Sequence, residues 1–175
     1  MNFKTSLDRI WKSYQITEDC LKITQRTVSK DEKSMLKGTA FLNSSSEDES
    51  EEWIRQSRTD ANDYVILSLW AAFERIILEY LQKKGRKILD KNSSDFNKKF
   101  YKKIEQEIEY WKINDILDMF KEIIDPNLIG NAKQIKQYRD WVAHRNIDKG
   151  SPANVAPQSA YQILSEILTE LDNIA

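Results

Sequence analysis

Hydrophobic positions along this chain fall three and four residues apart, the spacing of helices with one buried face, and no stretch alternates well enough to read as a strand. Ser6 is placed to cap a first helix reaching about Val28, with Leu7, Ile10, Trp11, Tyr14, Leu21 and Val28 as its apolar positions. Residues 29–50 are polar, end in NSSSEDESEE, and read as a loop or frayed connection. Ser46 and Glu49 fit a capping box, and the acids around them suit a helix N-terminus. Asp48 and Asp60 both offer a start for the second helix. The capping box points to the earlier one, which makes that helix very long.

The segment YVILSLWAAFERIILEYL, Tyr64 to Leu81, is apolar nearly all the way round and is expected to be the central helix, ended by Gly85. A further helix starts near Ser94, with Phe96, Phe100, Ile104, Ile108 and Trp111 at helical spacing. Asn114 is set to cap a short helix in which Ile116, Leu117, Phe120, Ile123 and Ile124 face inward. DPNLIGN reads as a break, after which Asn131 caps AKQIKQYRDWVAHRN, a helix ending near Ile147. Residues 148–157 form a loop. Pro157 fits the first turn of a last helix, whose stripe is Leu164, Ile167, Leu168 and Leu171. The fold class is all-α, a bundle of about five helices in a single domain over residues 1–175.

Composition narrows the function classes. Only 4 Gly and 3 Pro occur, too few for a turn-rich sheet protein. No apolar run is long enough to span a bilayer, and MNFKTSLDRIWKSYQ lacks the apolar centre of a signal peptide. A single cysteine, Cys20, permits no internal disulfide, so a cytoplasmic address without a membrane is expected. The net charge of −1 removes bulk attraction to nucleic acid, so any RNA or DNA contact must use a local patch. One His and one Cys leave no Cys/His zinc site within a chain, and no metal or cofactor is expected.

The segment richest in chemistry is YRDWVAHRN, Tyr138 to Asn146. On a helix, Asp140 and His144 lie one turn apart on one face, so Asp140 can accept a hydrogen bond from the imidazole and fix its tautomer. Arg139 precedes His144 by five residues, which sets the two roughly 140° apart around the axis. They converge only through the reach of arginine, distortion at the helix end, or a symmetric interface. A histidine near a helix C-terminus also suits the helix dipole with no further role.

Glu74 interrupts the apolar run of the central helix. It has two readings. It pairs with Arg75 at a wet edge, which is the favoured one, or it reaches the motif helix and positions Arg139. The clusters Lys83, Lys84, Arg86, Lys87 and Lys98, Lys99, Lys102, Lys103 read as solvated helix faces with Phe96 and Phe100 in the core. The competing reading has Phe96, Phe100 and Tyr101 stacking on bases. Trp141 flanks the motif and is placed to pack at a dimer seam.

RDWVAHRN behind LSLWAAFERIILEYL resembles the HEPN superfamily, whose mark is an arginine, four to six residues, then a histidine on a late helix of an all-α bundle. Here the motif is Arg139-x4-His144, with Asp140 where a polar residue often follows the arginine. The resemblance runs from the central helix through the last one. LWAAFER and DWVAH look most like the RiboL-PSP-like HEPN ribonucleases of bacterial toxin and antiviral systems.

That resemblance implies a metal-independent endoribonuclease acting on single-stranded RNA. The ribose 2′-hydroxyl attacks its own phosphate, leaving 2′,3′-cyclic phosphate and 5′-hydroxyl ends. It implies a homodimer in which two motifs form a composite site and supply two histidines. His144 then transfers protons, Arg139 binds phosphate and steadies the transition state, and Asp140 orients. Arg145 and Asn146 contact the RNA, and Glu74 and Tyr138 support these side chains from behind. The role implied is a toxin or antiviral effector, held by an antitoxin or working with a defence-system protein. Asn146 stands where nucleotidyl-regulated relatives carry a tyrosine two residues after the histidine, so control by AMPylation is not expected. Two other readings stand beside this one: a HEPN-like module that binds RNA or protein without cutting, and a plain helical interaction protein in which the motif is accidental.

Overall fold

The structure is a computed structural model, described over residues 4–30, 32, 34–43, 46–91, 94–144 and 150–174, the side chains of 88–91 excepted. Among these residues there are six α-helices and no strand. They are α1 (Thr5–Ser29), α2 (Glu47–Lys91), α3 (Asp95–Glu107), α4 (Ile113–Phe120), α5 (Pro126–His144) and α6 (Pro157–Ile174). Short 3-10 turns occupy Ala40–Asn43 and Ile108–Tyr110.

The spine is α2, 45 residues long. It starts at the earlier of its two candidate positions, because Ser46 Oγ accepts the Glu49 backbone N–H at 3.2 Å and Glu47, Asp48 and Glu49 fill a first turn where negative charge is favoured. α2 packs against α1, α3, α5 and α6. Its middle supplies the largest buried side chains, Trp70 and Phe73, with Ile66, Leu69 and Ile77. Leu7 of α1, Ile116 and Leu117 of α4, Ile129 and Ile135 of α5, and the stripe Leu164, Ile167, Leu168, Leu171 of α6 close the core around them. A smaller cluster of Val28, Leu36 and Ile54, with Phe41 against it, gives the connection after α1 its own apolar contacts. That segment is therefore partly built, not a plain loop.

Several expected boundaries shift. Ser6 does not cap α1: Lys4 already has helical backbone angles and precedes the first turn without a side-chain cap. Gly85 does not end α2, which runs on to Lys91. It serves packing instead, since a Cβ there would lie 3.0 Å from Cε2 of Tyr101 on α3. Asn114 lies inside α4, whose turn begins at Ile113 after the extended Lys112. Ile123 is exposed, past the end of that helix.

The largest shift is at DPNLIGN. α5 starts at Pro126, the Asp125 carboxylate accepts the Asn127 N–H at 2.8 Å, and Gly130 and Asn131 are helical. Asp before Pro at the first helical position is a start signal that outweighs the apparent break. α5 is thereby long enough to cross the spine with Ile129, Ala132 and Ile135 buried below the motif. No helix among the described residues is long and apolar enough to cross a membrane.

Candidate functional site

α5 carries Tyr138, Arg139, Asp140, Trp141 and His144 in its last two turns. The preceding turns are locked by burial, so the orientation of this end follows from the core. Two α2 carboxylates then grip it. The Tyr138 hydroxyl donates to Oδ1 of Asp63 at 2.6 Å, and Asp63 is buried. One turn of α2 beyond Trp70, Glu74 Oε2 accepts from Arg139 Nη2 at 3.4 Å and from the Trp70 indole N–H at 3.2 Å. Arg75, expected as a surface partner for Glu74, instead bonds Glu79 and Glu109, both at 3.1 Å. Glu74 thus takes the second of its two readings, because its place on α2 faces α5 while Arg75 faces the turn after α3.

The guanidinium of Arg139 has a second anchor. Its Nη1 donates to Asp140 Oδ1 at 2.9 Å. The other oxygen of Asp140 accepts from Lys136 Nζ at 2.5 Å, one turn back on the same helix. Glu74, Arg139, Asp140 and Lys136 form a continuous chain of two negative and two positive groups. Partial burial pushes the Asp140 carboxyl up. The hydrogen bonds from Lys136 and Arg139, with their charges, outweigh this and hold it below the usual carboxylate range. Among the described residues, two of the five guanidinium N–H groups of Arg139 are used, which leaves donors for an anion.

The expected bond from the imidazole to Asp140 is not formed. Although Asp140 and His144 are one turn apart, both carboxylate oxygens are taken by Lys136 and Arg139. His144 is exposed at the last described turn of α5, and its imidazole has no hydrogen-bond partner among the described residues. Arg139 and His144 diverge as helical geometry requires: the first is half-buried toward α2, the second faces solvent. Arg145 and Asn146 lie outside the described residues. Trp141 is half-buried with its ring centroid 5.8 Å from that of Tyr138.

Lys136, Asp63 and Trp70 belong to this arrangement although the sequence did not single them out. Lys136–Asp140 and Trp70–Glu74 carry a sequence signal, the four-residue spacing of helical neighbours. Asp63–Tyr138 spans 75 positions and has none. No group of three His, Cys, Asp or Glu side chains converges to hold a metal ion among the described residues. Comparison with protein-family models, with curated proteins and with solved structures finds no match to this chain.

Proposed function

We propose that the chain is a HEPN-type endoribonuclease that cleaves single-stranded RNA by 2′-hydroxyl transphosphorylation, without a metal, as a cytoplasmic toxin or antiviral effector. The observation that carries the reading is Arg139. Its guanidinium is fixed between carboxylates on two helices, keeps donors open among the described residues, and sits on the helix whose exposed end bears His144. A phosphate needs a fixed, partly desolvated cation, and proton transfer needs an accessible imidazole.

One chain offers a single histidine turned away from Arg139. In-line attack with a base and an acid calls for two, which a two-fold homodimer supplies. In that composite site Arg139 of each chain meets the scissile phosphate and the two His144 side chains take the base and acid roles. Asp140 and Glu74 act as positioning residues for Arg139 and do not touch the imidazole. Arg145 and Asn146 follow His144 directly and meet the RNA backbone. An antitoxin or defence-system protein holds the enzyme in check.

An imidazole without a partner among the described residues also favours a second reading, a HEPN-like module that binds RNA or a protein without cutting it. Purified protein incubated with single-stranded RNA and EDTA separates the two. The proposal expects products ending in 2′,3′-cyclic phosphate that vanish in Arg139→Ala and His144→Ala. Cleavage that EDTA abolishes, or that His144→Ala retains, refutes the proposed mechanism. Binding without cleavage at any enzyme concentration establishes the module.

A further inference from the structure

α3 contributes little to the core. It is strongly amphipathic in sequence, yet none of its residues is buried. Its inner side meets α2: the Tyr101 hydroxyl donates to the Gln82 carbonyl, and Glu105 pairs with Arg86 at 3.1 Å. Phe96 and Phe100 point the other way, 74% and 57% exposed, with near-parallel rings whose centroids are 6.1 Å apart. The expectation that they fill the core is overturned. Tyr101 and Gly85 occupy the contact with α2, which turns the phenylalanine edge to solvent.

Two adjacent exposed phenylalanines hold apolar surface in water at a cost, and such a patch marks a binding surface. Charge identifies what it binds. Lys99 lies one turn beyond Phe96 and immediately before Phe100, and Lys102 lies one turn beyond Lys99, both exposed. Neither ammonium has an ion-pair partner among the described residues, whereas Lys98 and Lys103 are paired with Asp95 and Glu107. A second copy of the chain docking here by two-fold symmetry would bring lysine-rich flank against lysine-rich flank. A polyanion with flat apolar faces fits both features.

We infer that the outer face of α3 is a stacking platform for single-stranded RNA, with Phe96 and Phe100 against bases and Lys99 and Lys102 against phosphates. This rests on the ribonuclease reading only in taking RNA as the nucleic acid. It supplies the local patch that a chain of net charge −1 requires to hold RNA. Stacking on aromatic rings is sequence-tolerant, so the platform grips a strand without choosing the bond that is cut.

The test uses full-length His144→Ala protein, which keeps a probe strand intact, and a labelled single-stranded RNA of about 12 nucleotides. Phe96→Ala with Phe100→Ala should weaken binding about tenfold or more. The salt dependence should stay unchanged. Lys99→Gln with Lys102→Gln should lower the slope of log affinity against log salt by about 1.4. Both phenylalanines are exposed and alanine favours helix, so circular dichroism should show the fold intact.

Unchanged affinity in the phenylalanine variant overturns the inference, as does an absence of RNA binding by the His144→Ala protein. A dimer that dissociates in the phenylalanine variant while RNA affinity holds assigns the face to self-association and also overturns it. Wild-type protein that binds RNA through Phe96 and Phe100 but leaves it uncut sinks the ribonuclease reading and leaves the platform standing.

Discussion

Glu74 on α2 and Arg139 on α5 form an ion pair across 65 positions of sequence, with Arg139 Nη2 at 3.4 Å from Glu74 Oε2. The central helix thus reaches the motif directly. About a third of each side chain is exposed, so the pair contributes little to stability, less than about 1 kcal/mol. Its value lies in where it puts the guanidinium. Glu74→Gln should leave the thermal midpoint almost unchanged and lower kcat for RNA cleavage about tenfold or more, with KM moved less. Arg75→Gln, on the next residue, should alter neither kcat nor KM. Steady-state kinetics on a short RNA, alongside a melting curve for each variant, checks the contrast.

Tyr138→Phe should behave the other way, costing stability first. It deletes one hydrogen bond to a buried carboxylate, Asp63, and a hydrogen bond to a charged group contributes about 1.5–3 kcal/mol. Urea denaturation should show a lower midpoint with an unchanged slope.

How far this arrangement was legible in the sequence depends on its range. The all-α class, the α6 stripe and the Ser46 cap were readable, because helical periodicity and caps are local signals. Gly85 misled because a glycine that ends a helix and a glycine that admits a neighbouring ring look alike in one dimension. Asn131 misled because Gly130 and Asn131 are weak helix formers, yet Asp125 and Pro126 had already started the helix. Glu74 as a partner of Arg139 was one of two readings open in the sequence, whereas Asp63 against Tyr138 and Lys136 against Asp140 were not foreseen. That Asp140 turns to Lys136 and not to His144 is a competition between two neighbours each one turn away, and a lysine ammonium is the stronger partner for a carboxylate.

The glycines give a stability test. Gly130 sits in α5 with open space where an alanine methyl would go, so Gly130→Ala should stabilise by about 0.5–1 kcal/mol through helix propensity. Gly85→Ala should gain less or lose stability, because the methyl meets the Tyr101 ring at 3.0 Å. Chemical denaturation of the two variants side by side reads the difference.

Asp140 carries an acid dependence. Its folded carboxyl lies below the ordinary value of about 3.9, so the unfolded chain binds the proton more readily. Its contribution is present above that ordinary value and is lost as pH falls through the lower, folded value. Solvent screening keeps it under about 1 kcal/mol. Asp140→Asn should therefore reduce stability near neutral pH and flatten the loss below about pH 4. A series of denaturation curves between neutral and acid pH measures it.

The central claim is that His144 and Arg139 together make a ribonuclease, and expression in a bacterial host with mapping of RNA ends tests it most directly. Wild-type protein should arrest growth and create new 2′,3′-cyclic phosphate ends, and His144→Ala, folded and expressed to the same level, should do neither. New ends in equal number from both proteins, or none from well-folded wild type freed of any bound partner, would contradict that claim.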